Sequence, residues 1–436
     1  MKRFRSSTSF TTGRRNLRAS RVAFGAAAAG AAMLLAACSS SSSSSSSTTT
    51  PASTGASSSS SASGSSANLS ALQADVAKAA ATPSFSAYLS NYGGKIPSIA
   101  NLAGKKIMII PGVSELAACE EIAQAASNIA KASGMVPTIF NNQGSPAEHN
   151  TAIENAIHQG YAAIIMGCAM DPSQDAPAIA QAQKAGIVVG VYGGTPDMDQ
   201  RANTTYNTDD PYAQDAKLAT EQAIEQHNGQ PFNAIAITST ATGPATAIEQ
   251  AAIQAELAKD CPKCTLTAVN VEVPQWQTQI ASTVTSQLLQ HPNVSVLFPD
   301  YAGELTYVLA GIQAAHRTGV KTYLAFGGGT PFVQLQTVSP GKDIIQSDVS
   351  ESPPWTGYLL FLQAARGLEK LAPIPYNQAI GPDLMITPDN ADSVLATGGF
   401  GDNWVNGFRA LLGLSALSGS ALHAASTLNG AMTGKP

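Results

Sequence analysis

The chain has 436 residues, of which 44 % are hydrophobic and 12 % charged, with a formal net charge of −5. That balance leaves no basic patch for nucleic acid, because the lysines and arginines concentrate at the extreme N-terminus. About 370 residues follow the low-complexity start, enough for two domains with real cores.

Lys2, Arg3, Arg5, Arg14, Arg15, Arg18 and Arg21 make the basic start, and the first acidic residue is Asp75. The apolar run from Val22 to Ala37 is too short and alanine-rich for a bilayer span of about 20 residues, but it suits the apolar centre of a signal peptide. It ends in Leu35-Ala36-Ala37-Cys38, which resembles the bacterial lipobox. Residues 1–38 are therefore expected to be a lipoprotein signal peptide, with Cys38 as the lipidated N-terminus. Arg14-Arg15 leaves the Sec and twin-arginine routes both open. Residues 39–66 are rich in serine, cannot bury apolar surface, and are expected to form a disordered tether. The expected location is the extracytoplasmic face of the cell membrane, held by a lipid anchor. No later segment offers about 20 unbroken apolar residues, so the remainder is expected to be soluble.

From Lys105 onward, short apolar runs alternate with amphipathic helical stretches, the pattern of a parallel α/β sheet. Strands are expected at 105–110, 136–140, 162–166 and 187–191, with helices at 119–133, 147–159 and 176–184. A second series places strands at 232–238, 265–271, 294–298 and 322–326, with helices at 246–259, 277–291 and 304–318. The fold class is thus α/β, with two Rossmann-like lobes and parallel sheets. Right-handed crossovers put the strand carboxyl ends on comparable edges, and ligands of such sheets bind outside those ends, here in a cleft between lobes. Residues 398–436 stay unassigned, although Phe400, Trp404 and Phe408 suggest a helix on the second lobe.

Several motifs then fall into line. The strand and helix from Lys105 to Gly134, Gly160-Tyr161-Ala162-Ala163-Ile164-Ile165-Met166, Ala185-Gly186-Ile187-Val188-Val189, Asn207-Thr208-Asp209-Asp210 and His291-Pro292-Asn293-Val294 with Leu297-Phe298 occur in order over residues 104–390. In this respect the chain resembles the type I periplasmic sugar-binding proteins of ABC importers, the ribose/galactose-binding family. The resemblance implies periplasmic binding protein type I architecture, with three crossovers between lobes. The N-terminal lobe would hold 104–205 plus about 349–377, and the C-terminal lobe 206–348 plus about 378–436. It implies capture of a small polar solute, a sugar or something sugar-like, in the cleft, and delivery to an ABC permease. The protein is expected to act as a monomer without cofactor, bound metal or nucleic acid. The same lobes would also suit a sensory protein presenting its ligand to a membrane kinase or chemoreceptor.

Carried over position by position, the ligand contacts fall on Ser114, Glu115, Tyr192, Gly193, Trp276, Asp300, Tyr301, Gly328 and Asp348. The family's charged clamp after the fourth strand is replaced by Gly193-Gly194, and its second-lobe arginine by Ile248. Aromatic faces and carboxylates in that arrangement also suit a larger or cationic ligand. Other roles stay open for three residues: helix packing for Trp276, a favourable first-turn charge for Glu115, and a helix cap for Asp348. Four cysteines remain beyond Cys38, in a compartment where disulfides persist. In a sheet ordered 2-1-3-4, Cys119 and Cys168 share one edge and are expected to bond at the rim of the cleft. Cys261 and Cys264 have redox-motif spacing, but they follow a helix and precede a strand, so a disulfide across that turn is expected. No HExxH or G-x-S-x-G motif occurs and no nucleophile is matched with a base, so the chain is read as a non-enzyme.

Overall fold

The computed structural model describes residues 62–168, 171–193, 195–208, 210–240, 244–324, 341–397 and 403–426. The signal segment, Cys38 and residues 39–61 of the expected tether therefore lie outside the described residues. The tether's expected end is corrected: an α-helix, Ala62–Ala79, already begins at Ala62. Its later turns carry apolar side chains, and Leu72 is buried in the second lobe beside helix Tyr212–Gln226. Asp75 adds an ion pair to Lys217.

The first lobe is built on four parallel strands, β1 (Lys106–Pro111), β2 (Val136–Ile139), β3 (Ala163–Gly167) and β4 (Val188–Tyr192), in the order β2-β1-β3-β4. Parallel strands covered on both faces read as continuous apolar runs, and β1 and β3 do so. Their alternate side chains split the core in two. Ile107, Ile109 and Ile165 pack with helices Ala117–Ala132 and Pro353–Leu368, while Met108, Ile110, Ile164 and Met166 pack with Pro146–His158 and Ala176–Lys184.

The first pair of helices crosses closely because Gly357 has no side chain. A Cβ there would lie 2.4 Å from the Ile122 carbonyl oxygen and 2.9 Å from the Ala126 nitrogen. Both are backbone atoms of the facing helix and cannot swing aside. Gly357→Ala is expected to cost at least about 2 kcal/mol, read as a lower urea midpoint; an unchanged midpoint would refute this account of the crossing.

The second sheet has six strands, β5 (Asn233–Thr238), β6 (Thr265–Asn270), β7 (Val294–Pro299), β8 (Lys321–Leu324), β9 (Ile345–Ser350) and β10 (Leu384–Ile386). Their order is β10-β9-β8-β7-β5-β6, and β10 alone runs antiparallel to its neighbour. Helix Tyr212–Gln226, which the motif pattern did not single out, covers one face of this sheet through Leu218, Ala219 and Ala223.

The chain crosses between lobes three times. It passes from β4 through Thr208, bridged to Tyr192, into helix Tyr212–Gln226. It returns from β9 through Glu351 and Ser352 into helix Pro353–Leu368, then runs out to β10. Gln363 ties these passages together: its amide donates to the Asn207 carbonyl at 2.6 Å, and its oxygen accepts from the Ile374 N–H at 2.9 Å.

Helix Asn403–Leu411 corrects the expectation that put it on the second lobe. Trp404 stacks against Trp355 and Tyr358, at ring-centroid distances of 5.3 and 5.2 Å, and Phe408 packs on Tyr92 at 5.7 Å. These partners belong to the first lobe and to the segment before it, where helix Phe85–Asn91 sets Phe85 5.6 Å from Trp355. Phe400 lies outside the described residues. Both expected disulfides are present, Cys119–Cys168 and Cys261–Cys264. Among the described residues no helix is long and apolar enough to cross a membrane.

Candidate ligand cleft

The carboxyl ends of both sheets carry the polar side chains that the cores exclude. β4 ends in Tyr192, 2 % exposed, whose hydroxyl lies 2.9 Å from Asp210 Oδ2 and 2.5 Å from Glu351 Oε1. Asp210 belongs to the first crossover and Glu351 to the second, so one phenol joins two passages of the hinge. The phenol has a single proton to give. It donates to one carboxylate, and the other contact is a hydrogen bond only when that carboxyl carries a proton of its own. Asp215, buried, and Asp383, half-buried, stand beside them, and desolvation pushes the Asp383 carboxyl up to about 8.

In the second lobe a buried network follows β5 and β7. Asp300 Oδ2 accepts from the Ser239 N–H at 3.0 Å and from the Thr246 hydroxyl at 2.6 Å. Burial raises the Asp300 carboxyl to about 7 against the pull of those two bonds. Ser239 Oγ accepts from the Trp276 indole N–H at 2.8 Å and lies 3.2 Å from Glu304 Oε1. Glu304 and Glu249 are fully buried, and both are held well above the ordinary carboxylate range, chiefly by burial and then by neighbouring carboxylates. Tyr301 lies 6.1 Å from Trp276, ring to ring. Across the gap, a Cβ at Gly303 would meet Trp276 Cζ3 at 2.8 Å and Leu116 Cδ2 at 3.7 Å. Leu116 caps the first helix of the first lobe, so the two lobes touch at this point.

The expected contact residues divide accordingly. Trp276, Asp300 and Tyr301 come together in the second-lobe network. Tyr192 belongs to the hinge, and Gly193, in the left-handed region at φ 81°, presents its carbonyl to the Tyr212 hydroxyl at 3.3 Å. Ser114 is tied to Asn142, its hydroxyl oxygen accepting from the Asn142 N–H at 3.0 Å, while Glu115 is exposed just before its helix. Gly328 and Gly194 lie outside the described residues.

Asp348 stands apart. It sits within β9, in register with Leu324 and Ile386, and only burial acts on its carboxyl. The cap position of the following helix is Ser352, so the helix-cap reading of Asp348 does not hold. Glu351, three residues further on, is the one that reaches the hinge tyrosine. Position-by-position transfer missed Glu351, Asp210, Glu249 and Glu304; an acidic residue shortly beyond a strand end is the signal that finds two of them, Glu351 after β9 and Glu304 after β7. The Cys119–Cys168 bond closes the rim beside Gly112, whose missing side chain leaves room for the Cys168 carbonyl. Among the described residues, no three His, Cys, Asp or Glu side chains are arranged to hold a metal ion.

No curated protein matches the chain. Solved structures do. A sugar ABC transporter protein from Yersinia enterocolitica superposes with a TM-score of 0.61 at 19 % identity, covering 76 % of this chain and 99 % of that one. An ABC transporter solute-binding protein from Agrobacterium vitis with bound allitol gives 0.57 at 18 % identity, over 68 % and 99 % of the two chains. A 5-methylthioribose transporter solute-binding protein from Thermotoga lettingae, in complex with 5-methylthioribose, gives 0.56 at 16 % identity, over 76 % and 98 %. At these identities the likeness is one of fold alone. The sequence itself matches the model of the periplasmic binding protein domain over residues 107–370, and to that family the chain belongs.

Proposed function

We propose that the chain is the extracytoplasmic, lipid-anchored solute-binding component of an ABC importer, capturing a small polar solute between its lobes. The observation that carries this reading is the pairing of hinge and cleft. Two of the three crossovers meet at the Tyr192–Asp210–Glu351 cluster, and Leu116 of one lobe lies beside Gly303 of the other. A solute that contacts both lobes favours the closed arrangement by its differential affinity. The structural neighbours that hold allitol and 5-methylthioribose support a sugar-like size and polarity. The lipobox at Cys38 supplies the anchor, and among the described residues nothing in the cleft pairs a nucleophile with a base.

The test uses the full chain purified in detergent. A thermal-shift panel of sugars, polyols, amino sugars and amines is expected to yield a stabilising compound that is recovered chemically unchanged. Stabilisation by none of them, or turnover of one, would sink the reading. Cys38→Ala is expected to move the protein from the membrane to the soluble fraction; retention in the membrane would refute the anchor.

A further inference from the structure

The segments that follow the carboxyl ends of β1 to β7 and of β9 share a chemical bias. Among the described residues they span 112–116, 140–145, 168, 171, 193, 195, 239–240, 271–275, 300–304 and 351–352, and not one lysine or arginine occurs in them. They do carry Glu115, Asp171, Glu272, Asp300, Glu304 and Glu351, and the first crossover adds Asp210. Cations flank the other edge: Lys106 begins β1, Lys321 begins β8, and Lys263 and Lys342 shortly precede β6 and β9, while at the acidic edge Arg201 lies 3.9 Å from Asp171. Apart from Arg201, the strand ends are therefore polarised, acidic at their carboxyl side and basic at the other.

A single side chain turns that bias into a site. Glu249 lies on helix Pro244–Asp260, one turn beyond Thr246 and on the same face. Thr246 is the residue that bonds Asp300 at 2.6 Å. Glu249 is 0 % exposed, and neither of its carboxylate oxygens has a hydrogen-bond partner. The charges acting on it, from Asp300, Asp210 and Glu304, are all negative. A carboxylate buried without a partner is costly, and a fold that keeps one facing two or three others has left the neutralising cation to come from outside. The aromatic faces of Trp276 and Tyr301 border the same network, which suits a cation with a carbon skeleton.

Resting on the solute-binding reading above, we propose that the cleft binds an amine-bearing organic cation, its ammonium group seated beside Glu249 and Asp300 and its carbon skeleton against Tyr301 and Trp276. Binding joins the ammonium to carboxylates that otherwise repel one another, and so draws the second-lobe network toward the hinge carboxylate Asp210.

The experiment is calorimetric titration of the full chain in detergent with glucosamine, putrescine and spermidine, against glucose, myo-inositol and calcium chloride. At least one amine is expected to bind at least tenfold more tightly than glucose and myo-inositol, and to weaken as salt is raised. Glu249→Gln relieves the repulsion, so this variant is expected to melt at a higher temperature than the parent while losing at least tenfold in amine affinity. Asp300→Asn, which keeps the shape, is expected to lose affinity likewise. Tight binding of a neutral sugar with Glu249→Gln unaffected would overturn the proposal and leave the solute-binding reading standing. Binding of calcium alone would overturn it in favour of a metal ion. Silence across every probe, here and in the wider panel, would overturn both.

Discussion

The ligand-free protein is expected to lose stability steadily as the pH rises from about 4 to about 8. Its buried carboxyls set the sign. Burial raises Asp300 to about 7 and Asp383 to about 8, and Asp215, Glu249, Glu304 and Asp348 are pushed upward by the same cause. A carboxyl whose folded-state value is raised keeps its proton in the folded chain at a pH where the unfolded chain has released it. The folded state then binds more protons, and stability falls with pH. The contribution is fully present below the unfolded values near 4, and it drains away until the folded values near 7 to 8 are passed. Each group in that window costs about 1.4 kcal/mol per pH unit. Coupling within the cluster spreads the protons over several residues, so the total is on the order of several kcal/mol. Urea denaturation at pH 5, 6, 7 and 8 checks it: the midpoint is expected to fall at each step. A flat or rising series would mean that these carboxyls are solvated or already neutralised. Saturation with an amine is expected to flatten the curve, because the cation takes the place of the missing protons.

The second large effect concerns the Cys119–Cys168 bond. It joins the first helix of the first lobe to the turn after β3, with a sequence separation of 49. Closing a loop of that length removes about 4 kcal/mol of chain entropy from the unfolded state. Both residues are buried, so alanine, not serine, is the clean replacement. Cys119→Ala with Cys168→Ala is expected to cost about 4 kcal/mol in urea unfolding. Cys261→Ala with Cys264→Ala closes a separation of only 3 and is expected to cost about 2 kcal/mol. Equal losses from the two pairs would show that loop entropy does not govern either.

Much of this architecture is written locally. Apolar runs such as Ile107–Ile110 and Ala163–Met166 admit little but buried parallel strands, and the cysteines fall where β1 and β3 lie side by side. The cleft is less legible, for a physical reason. A ligand residue is defined by where its strand stops, and β9 continues through Ser350, so the contact expected at Asp348 stays inside the sheet and Glu351 takes the hinge. Burial was equally hidden. Glu249 reads as an ordinary surface position on a helix, and only its tertiary surroundings bury it completely. The helix from Ala62 escaped notice because its first turn shares the small, serine-rich composition of the stretch before it, and only Leu72 and Val76 reveal a packed face.

That same helix limits how the molecule can move. Ala62–Ala79 rides on the second lobe through Leu72 and Asp75, whereas Phe85–Asn91 is stacked on the first lobe through Phe85 and Tyr88. Only residues 80–84 run between them. A stretch that short can reach about 20 Å when fully drawn out. The jaws therefore carry a restraining cord beside the hinge, and however loosely the three crossovers flex, the gape at that side stops where the cord goes taut.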